Sequence, residues 1–525
     1  TAIQRYHRPT QADDVQIARR RLAYDEFLIL QLAVQLRRQF RKQHASAPAI
    51  IVTPEIDRRI RARLPFQLTP GQNQVVAAIT SDLARTQPMN RLLQADVGAG
   101  KTAVAVYAAL ATVANRRQVA IMAPTEILAE QHRAKFGAYL EGSRVRVGYL
   151  VGGQSKAARQ HTLRSVAAGE IDVLIGTHAL LETGVRFAAC GLVVVDEQHK
   201  FGVFQRSAIL NKPAAQQAHY LVLTATPIPR TLALTLFGDL DVSVIPDGPP
   251  GRQPITTRVV QAEEIAPVWD FVRQRLAAGE QAYVVYPLVD ESDRLPLQAA
   301  TREYEHLKHA VFADFGVDLL HGRMSTAEKT AVMNRFRTGA SRVLVATTVI
   351  EVGVDVPAAT IMVVQHAERY GLSQLHQLRG RIGRGARKSY CILVDHGSQI
   401  SDFRSQIPEL NRHARDQSEI ARRKSETDSR RGLARLEIMA RTADGFQIAE
   451  EDLRLRGPGE VVGARQHGLP TLKVADLLSD LELLDWARAD AARIVEADGR
   501  LSQPRFAALR AQVIARHGET AALTG

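Results

Sequence analysis

Cysteine and long apolar runs are scarce in this sequence, and each shortage argues against a class of protein. Two cysteines and two tryptophans occur among 525 residues. Cys190 and Cys391 lie in no CxxC pattern and in no Cys/His cluster of metal-ligand spacing, which argues against a disulfide framework and a structural zinc. No apolar run reaches the roughly 18 residues of a membrane span, and no signal-peptide pattern opens the chain. We expect a soluble, cytoplasmic protein without a membrane partner.

The sequence is instead long and strongly basic. Lys and Arg number 68 against 55 Asp and Glu, which gives a net charge of +13 and a pI near 9.9. Such an excess is typical of proteins that bind a polyanion such as nucleic acid, although solvated arginine faces give the same balance. At about 150 residues per domain, the chain has room for three or four domains. It begins at Thr1 without an initiator methionine, so we expect a longer protein in front of it.

Two sets of short apolar strands alternate with helical patterns, which predicts parallel sheets joined by crossover helices. The Pro- and Gly-rich segment 246–254, PDGPPGRQP, separates the sets and is typical of a linker. The first set contains VAIMA at 119–123, VLIG at 173–176, LVVVD at 192–196 and LVLT at 221–224. The second set contains AYVVY at 282–286, VDLL at 317–320, RVLVA at 342–346, TIMVV at 360–364 and YCILV at 390–394.

Helical patterns flank the two predicted sheets. Apolar residues recur at helical spacing over 16–43, and shorter patterns over 435–439 and 474–497 also favour helices. We therefore expect an α/β protein with two parallel-sheet lobes, an N-terminal linker helix and a mostly helical C-terminal module. The predicted bounds are 1–54 for the linker helix region, 55–247 for lobe 1, 248–396 for lobe 2 and 397–525 for the C-terminal module.

Residues 92–102, LLQADVGAGKT, form the pattern of a phosphate-binding loop. Glycines at 98 and 100 let backbone N–H groups approach phosphates, Lys101 meets the terminal phosphates, and the Thr102 hydroxyl is a magnesium ligand. The strict GxxxxGK[ST] pattern has glycine where this chain has Ala95, and alanine is tolerated there if φ is negative. A glycine-rich turn without chemical function is the alternative.

A pair of acids ends a predicted strand downstream of this loop. In LVVVDEQHK, Asp196 can bind magnesium and Glu197 can polarise the attacking water. Strand ends often carry solvated acids, but the phosphate loop upstream favours a catalytic pair. Together the two motifs predict magnesium-dependent hydrolysis of a nucleoside triphosphate.

Arginines alternate with glycines in QLRGRIGRG at 377–385. Arg379, Arg381 and Arg384 can reach a γ-phosphate only if the two lobes close on the nucleotide. Arginines of this type contribute about 10³- to 10⁵-fold in rate. A surface arginine patch is the alternative interpretation.

An ordered set of motifs over both lobes resembles the superfamily 2 helicases. Within that superfamily the chain is most similar to the RecG family, because DEQHKFGV at 196–203 and TATPIPRT at 224–231 match it, and 444–468 resembles a translocation motif shared with transcription-repair coupling factors. The set consists of LTPGQ at 68–72, ADVGAGKT at 95–102, APTEILAEQH at 123–132, GTHAL at 176–180, DEQH at 196–199, TATPIPRT at 224–231, LLHGRMS at 319–325, ATTVIEVGVDVP at 346–357 and QLHQLRGRIGRG at 374–385.

The resemblance implies two RecA-like lobes and an ATP-dependent translocase and helicase of duplex DNA. Its implied task is to remodel branched DNA, such as stalled forks and Holliday junctions, in recombination and repair. It implies ATP and Mg²⁺ as cofactors, double-stranded and branched DNA and single-stranded DNA-binding protein as partners, a monomeric state, and a location in the bacterial cytoplasm with the nucleoid. The translocation motif would convert lobe closure into movement along DNA.

The resemblance also assigns roles to single residues. The catalytic residues would be Lys101, Asp196, Glu197, Arg381 and Arg384, with Thr102 and Asp196 binding the metal. The nucleotide would be bound by Phe66 (or Leu68), Gln72, Gly98, Ala99, Gly100, Lys101, Thr102, Gly353, Asp355 and Gln377. DNA tracking or coupling would involve Thr125, Glu126, Thr177, His178, Thr224, Thr226, Arg456, Arg465 and Gln466.

Some positions depart from the family pattern. Gln365 and His366 stand where an acidic residue and asparagine are usual, and Lys200 replaces the commoner arginine. The family's OB-fold wedge domain, which recognises branch points, would precede residue 1, so we expect this chain alone to translocate without regressing forks.

Three other functions remain open on the sequence. A transcription-repair coupling factor shares the translocation motif, but its acidic motif typically has the sequence DEEQ and its last motor motif commonly ends in Ser where this chain has Gly385. An RNA-unwinding helicase lacks a counterpart of 444–468. A DNA-binding scaffold with an inactive ATPase is disfavoured by the complete set of catalytic residues.

Overall fold

The fold consists of two units, each built on one parallel β-sheet. The computed structural model describes residues 1–182, 184–196, 217–224, 240–246, 253–287, 294–347, 356–383, 385, 387–397, 431–456, 472–476 and 479–518. The first unit comprises Thr1–Asp247 and Arg456–Gly525, and the second comprises Gly248–Leu455. None of the helices within the described ranges is both long and apolar enough to cross a membrane.

The sheet of the first unit contains β1 (Asn90–Ala95), β2 (Gln118–Met122), β3 (Val147–Leu150), β4 (Val173–Gly176), β5 (Cys190–Asp196), β6 (His219–Thr224) and β7 (Asp241–Ile245). Its strand order is β3-β4-β2-β5-β6-β1-β7, and all neighbours are parallel. The central strands are apolar on both faces because both faces are covered. Parallel strands place all their carboxyl ends at one edge, which is where ligands bind in such sheets.

The helices of this unit are α1 (Ala2–His7), α2 (Asp14–His44), α3 (Pro54–Arg61), α4 (Pro70–Leu83), α5 (Lys101–Ala114), α6 (Glu126–Tyr139) and α7 (Lys156–Ala167). Helix α4 begins at Pro70 behind the capping residue Thr69, and Gln72 completes a capping box. Helix α5 carries alanine and valine on every side and is buried along most of its length between the sheet and its neighbours.

The second unit contains β8 (Ile255–Gln261), α8 (Ile265–Ala277), β9 (Gln281–Val285), α9 (Arg294–His306), β10 (Val317–Leu320), α10 (Thr326–Thr338), β11 (Val343–Ala346), β12 (Ala359–Val364), α11 (Leu372–Arg379), β13 (Ser389–Asp395), α12 (431–441) and α13 (Gly445–Arg456). Its parallel sheet has the order β10-β11-β9-β12-β13-β8. The turn 442–444 joins α12 to α13, and Asp444 accepts the Phe446 N–H at 2.8 Å at the start of α13. Leu436 and Ile448 from these two helices pack into the core around Leu375 of α11.

The predicted α/β class and the predicted central strands are confirmed, with ends that lie within two residues of the predicted ones. The strands β3, β7 and β8 were not predicted, and all three lie at sheet edges. An edge strand is covered less completely, and in β8 exposed residues interrupt the partly buried ones. Their sequences therefore lack the continuous apolar run that marks a central strand.

The predicted C-terminal module over 397–525 is divided between the two units, so its residues do not form one module. Helices α12 and α13 lie in the second unit, whereas α14 (Leu481–Ala497) and α15 (Ala507–His517) belong to the first. Helix α14 packs along α2, where Arg19 donates to both oxygens of Asp480 at 2.9 and 2.8 Å. The apolar face of α2 requires such a cover, so the predicted linker helix is part of the first unit.

The helix predicted over 474–497 begins only at Leu481. Before it, the buried carboxylate of Glu26 in α2 accepts the backbone N–H groups of Lys473, Val474 and Ala475 at 2.9 to 3.1 Å. A side chain more than 400 positions away in sequence thus binds the amides that open this segment. Periodicity within the segment could not reveal this contact.

We predict that Glu26→Ala lowers the free energy of unfolding of the first unit by about 2 to 4 kcal/mol, because three partly or fully buried amides lose their acceptor. Urea unfolding followed by far-UV circular dichroism measures this change. The control is Asp25→Ala, which removes an exposed partner of Arg21 at 3.0 Å and should change the free energy by less than about 0.5 kcal/mol. Equal stability of the two variants would contradict the assigned role of Glu26.

Candidate nucleotide-binding site

The glycine loop joins the buried strand β1 to the start of α5. Gly98 and Gly100 have φ values of 85° and 84°, in the region that favours glycine, and Gly100 directly precedes α5. Ala95 is the last residue of β1 and has a strand conformation, so the departure from the strict glycine pattern costs nothing there. The backbone therefore forms the turn that a phosphate-binding loop requires.

Lys101 folds back onto this loop. Its ammonium group donates hydrogen bonds to the Ala95 carbonyl at 2.7 Å and the Asp96 carbonyl at 3.0 Å. Thr102 follows in the first turn of α5 and is partly exposed. A cation and a hydroxyl thus stand at the positive end of a helix beside the loop, which is the arrangement that binds an anion.

Gln72 bridges the start of α4 and the loop. Its side-chain oxygen accepts the Thr69 N–H at 3.0 Å, and its side-chain nitrogen donates to the Ala99 carbonyl at 3.0 Å. A Cβ atom at Gly100 would lie 2.3 Å from that nitrogen, so a side chain there would displace the end of the Gln72 side chain. The predicted nucleotide-binding residues Gln72, Ala99 and Gly100 are therefore in direct contact.

The two residues predicted as alternatives for packing on the base differ in exposure. Leu68 is 9% exposed and belongs to the hydrophobic core, whereas Phe66 is 45% exposed. A packed core side chain has no free face for a ligand, so Phe66 is the better candidate of the two.

Asp196 ends β5, two strands from β1 in the sheet order. Its Oδ2 atom lies 2.8 Å from Nε2 of His132, a buried residue of α6. His132 was not among the predicted site residues, although the motif APTEILAEQH ends on it. Carboxylates that bind a metal are commonly oriented by a second hydrogen bond, and His132 is placed to orient Asp196 in this way if that carboxylate binds a metal ion.

The predicted DNA-tracking residues of the first unit also have structural contacts. Thr125 caps α6 by accepting the Leu128 N–H at 3.4 Å, and the Glu126 carboxylate accepts the Gly153 N–H at 3.2 Å. Thr177 and Thr224 are buried, whereas His178 is exposed. The exposed His178 is the member of this group that solvent or a ligand reaches most easily.

The arginine-rich motif of the second unit begins on α11. Arg379 is only 4% exposed and donates to three backbone carbonyls, those of Met439 and Thr442 at 2.9 Å and that of Ala443 at 3.2 Å. It therefore anchors the C-terminal end of α12 and the turn after it, where carbonyls have no helical partner. This use replaces the interpretation that Arg379 reaches a phosphate.

Two further residues of this motif, Gln377 and Arg381, were predicted to act at the nucleotide, and both are partly exposed. Several predicted residues lie outside the described ranges or, for Arg456, outside the described side chains. These are Glu197, Thr226, Gly353, Asp355, Arg384, Arg465, Gln466 and Arg456.

The unusual pair Gln365 and His366 forms contacts with His396. The rings of His366 and His396 stack with centroids 3.7 Å apart, and Nε2 of His396 lies 2.9 Å from the Gln365 side-chain oxygen. Burial, together with the nearby His366, lowers the pKa of His396 and favours its neutral form. The departure from the family pattern is therefore accommodated within the second unit.

These features define the two-lobed class of nucleotide-dependent helicase motors. They are a glycine loop at the start of α5, a carboxylate at the end of β5 and a second parallel-sheet unit with an arginine-rich motif. Two family models agree with this class. The DEAD/DEAH box helicase model matches residues 69–235, and the helicase conserved C-terminal domain model matches residues 267–386.

A third model, described as ATP-dependent DNA helicase RecG, domain 3, C-terminal, matches residues 442–519. The ATP-dependent DNA helicase RecG of Synechocystis sp. is 45% identical over 95% of this chain and 56% of its own length. The protein of that name from Bacillus subtilis is 43% identical over 98% of this chain and 70% of its own length. The one from Escherichia coli O157:H7 is 42% identical over 92% of this chain and 67% of its own length. The chain belongs to the RecG family, and it spans between about half and about seven tenths of these relatives' length.

Solved structures support the same assignment. A structure of RecG bound to a three-way DNA junction matches with a TM-score of 0.69 and 39% identity over 92% of this chain and 59% of that chain. A structure of Mss116p bound to single-stranded RNA and AMP-PNP matches with a TM-score of 0.52 and 15% identity over 87% of this chain and 94% of that chain, which is a likeness of fold alone.

We predict that Gly100→Ala weakens nucleotide binding by about tenfold or more, because its Cβ would displace the Gln72 amide and α5 would begin at a strained residue. Titration with a fluorescent ATP analogue measures the affinity. The matched control is Gly137→Ala in α6, where a Cβ meets nothing within 4 Å. That change should leave the affinity unaltered and add about 0.5 to 1 kcal/mol of stability; the same affinity in both variants would refute the assignment of the loop.

We also predict that His132→Ala raises the Mg²⁺ concentration for half-maximal hydrolysis by about tenfold, because Asp196 loses its orienting partner. Nucleotide affinity measured without Mg²⁺ should stay within twofold. His161→Ala, at an exposed position of α7, serves as the control for loss of an imidazole. An unchanged Mg²⁺ requirement in the His132 variant would show that the contact orients nothing.

Proposed function

We propose that this chain is an ATP-dependent motor that translocates on duplex DNA and remodels branched DNA. The observation that carries the proposal is that the glycine loop, which Gln72 contacts, and the carboxylate of Asp196 follow strands of one parallel sheet at the same edge, in a chain of the RecG family. Strands β5, β6 and β1 are neighbours, so Asp196 and the loop after Ala95 emerge at the same edge.

In this proposal the loop amides and Lys101 bind the phosphates of ATP. The ammonium group would exchange the Ala95 and Asp96 carbonyls for phosphate oxygens, and Gln72 with Phe66 would recognise the adenine. The hydroxyl of Thr102 and the carboxylate of Asp196 are oxygen ligands of the kind Mg²⁺ prefers, and the ion would neutralise charge on the β- and γ-phosphate oxygens. Glu197 would orient the attacking water.

The second unit would contribute the arginines and the coupling element. Arg381 and Arg384 would stabilise charge on the transferring phosphate when the lobes close. Arg379 binds the carbonyls at the end of α12, and α13 leads directly into the glycine-rich part of 444–468. A change in the position of α11 would therefore be passed to the hairpin of α12 and α13, which supports the role of this segment in coupling hydrolysis to movement.

Family and charge both support DNA as the partner. The net charge of +13 favours a polyanion, and one RecG structure similar to this chain was solved bound to a three-way DNA junction. The RecG domain 3 match at 442–519 favours this function over an RNA-unwinding helicase. We further propose that the protein is a monomer in the bacterial cytoplasm and has single-stranded DNA-binding protein as a partner. We also propose that full fork regression requires the part of the RecG relatives that this chain does not span.

We predict that duplex or forked DNA, but not RNA, strongly stimulates ATP hydrolysis by this chain. Steady-state rates with Mg²⁺ are compared for no nucleic acid, single-stranded DNA, linear duplex, a model fork and RNA. Lys101→Ala should lower the stimulated rate by about 10²-fold or more, whereas Lys156→Ala at an exposed position of α7 should not. The proposed function would be refuted if RNA stimulated hydrolysis, or if none of the DNA substrates did.

A further inference from the structure

A chain of polar contacts connects α5, α3 and α4 behind the proposed adenine site. It begins at Tyr107 of α5, a residue only 1% exposed, whose hydroxyl donates to Asp57 of α3. Asp57 in turn accepts from Nε of Arg61, one turn further along α3, at 2.9 and 2.8 Å to its two oxygens. Burial raises the pKa of Asp57, but the hydrogen bonds from Tyr107 and Arg61 outweigh it and leave the pKa below its ordinary value.

Arg61 carries the connection across to α4. Its Nη1 donates to the side-chain oxygen of Asn73 at 2.7 Å. The Asn73 side-chain nitrogen then donates to the carbonyls of Leu68 and Thr69, both at 3.0 Å. Both ends of the Asn73 amide are thus engaged, and the guanidinium joins two helices in one fixed geometry.

These contacts end on the segment 62–69, which joins α3 to α4. Leu64 and Leu68 are buried in the core, whereas Phe66 between them is largely exposed. The same segment leads into the first turn of α4, which carries Gln72. The backbone that carries Phe66 and Gln72 is therefore connected to the loop helix α5 through the side chains of Asn73, Arg61, Asp57 and Tyr107.

We propose that Arg61 and Asn73 are positioning residues that set the preference of the site for adenine nucleotides. They orient the segment that presents Phe66, and through Asp57 and Tyr107 they tie that segment to the helix that begins at the phosphate loop. Discrimination between bases requires the recognising groups to stay in place, since a mobile acceptor or aromatic face adapts to the wrong base as well. The inference rests on the proposed function, in which Phe66 and Gln72 recognise the adenine.

The test compares Arg61→Met with Arg59→Met in the full chain. Arg59 lies on the same helix and pairs with Glu55 at the same spacing, but its side chain is 76% exposed and reaches no residue of α4. For each variant kcat and KM are measured with ATP and with GTP at saturating duplex DNA, beside the melting temperature. Arg61→Met should raise KM for ATP about three- to tenfold, while kcat and the KM for GTP stay within twofold. The reason is that the lost contact with adenine stabilises the ground state and the transition state equally, so its loss changes KM and not kcat.

Arg59→Met should match the unsubstituted chain in every parameter. An unchanged ATP-to-GTP ratio of kcat/KM in Arg61→Met, with or without an equal loss for both nucleotides, would overturn the proposal. If Arg61→Met fails to fold, Asn73→Ala removes the carbonyl contacts, keeps the pair of Arg61 and Asp57, and is judged by the same ratio. Arg61→Lys should recover only part of the ATP preference. Lysine keeps the positive charge beside Asp57, but its ammonium group cannot bind Asp57 and Asn73 in the fixed geometry of the guanidinium. Absence of hydrolysis of either nucleotide by the unsubstituted chain would instead refute the proposed function.

Discussion

The backbone conformation at Gly100 is the constraint on which the nucleotide site depends. With φ at 84°, the chain turns from β1 into α5 at a point where only glycine is unstrained. The space that a side chain would fill is taken by the Gln72 amide, which binds the Ala99 carbonyl. The loop, the start of α5 and the start of α4 are thus interlocked, so a change in any one of them alters the place where phosphate and base would be bound.

Charged side chains bind backbone groups at two places, the end of α12 and the segment 473–475. Arg379 donates to carbonyls at the end of α12, and Glu26 accepts amides at 473–475. Buried backbone groups without partners are costly, so an ionic side chain is a strong way to satisfy several of them at once. Both contacts flank, along the chain, the segment that carries the glycine-rich part of 444–468, one before it and one after it.

Local patterns predicted the central strands because those strands are covered on both faces and have apolar residues throughout. The edge strands β3, β7 and β8 escaped prediction for the opposite reason. The start of α14 at Leu481 was not predicted, and neither was the contact of residues 473–475 with Glu26, which lies in the N-terminal helix. Within the site, the loop residues and Gln72 were predictable from motifs, whereas the contact of His132 with Asp196 depends on how α6 packs beside the end of β5.

Arg379 and Arg381 show why a motif does not by itself assign a role to each of its members. Both stand among glycines in one short stretch, and their residue type suits either a phosphate or a backbone carbonyl. Arg379 lies on the buried side of α11, where a guanidinium without partners would be prohibitively costly, and the carbonyls of the following helical hairpin supply those partners. Arg381 follows the end of α11 and is partly exposed, so it can respond to a ligand. Burial therefore distinguishes Arg379, which binds the carbonyls of the hairpin, from Arg381, which is partly exposed.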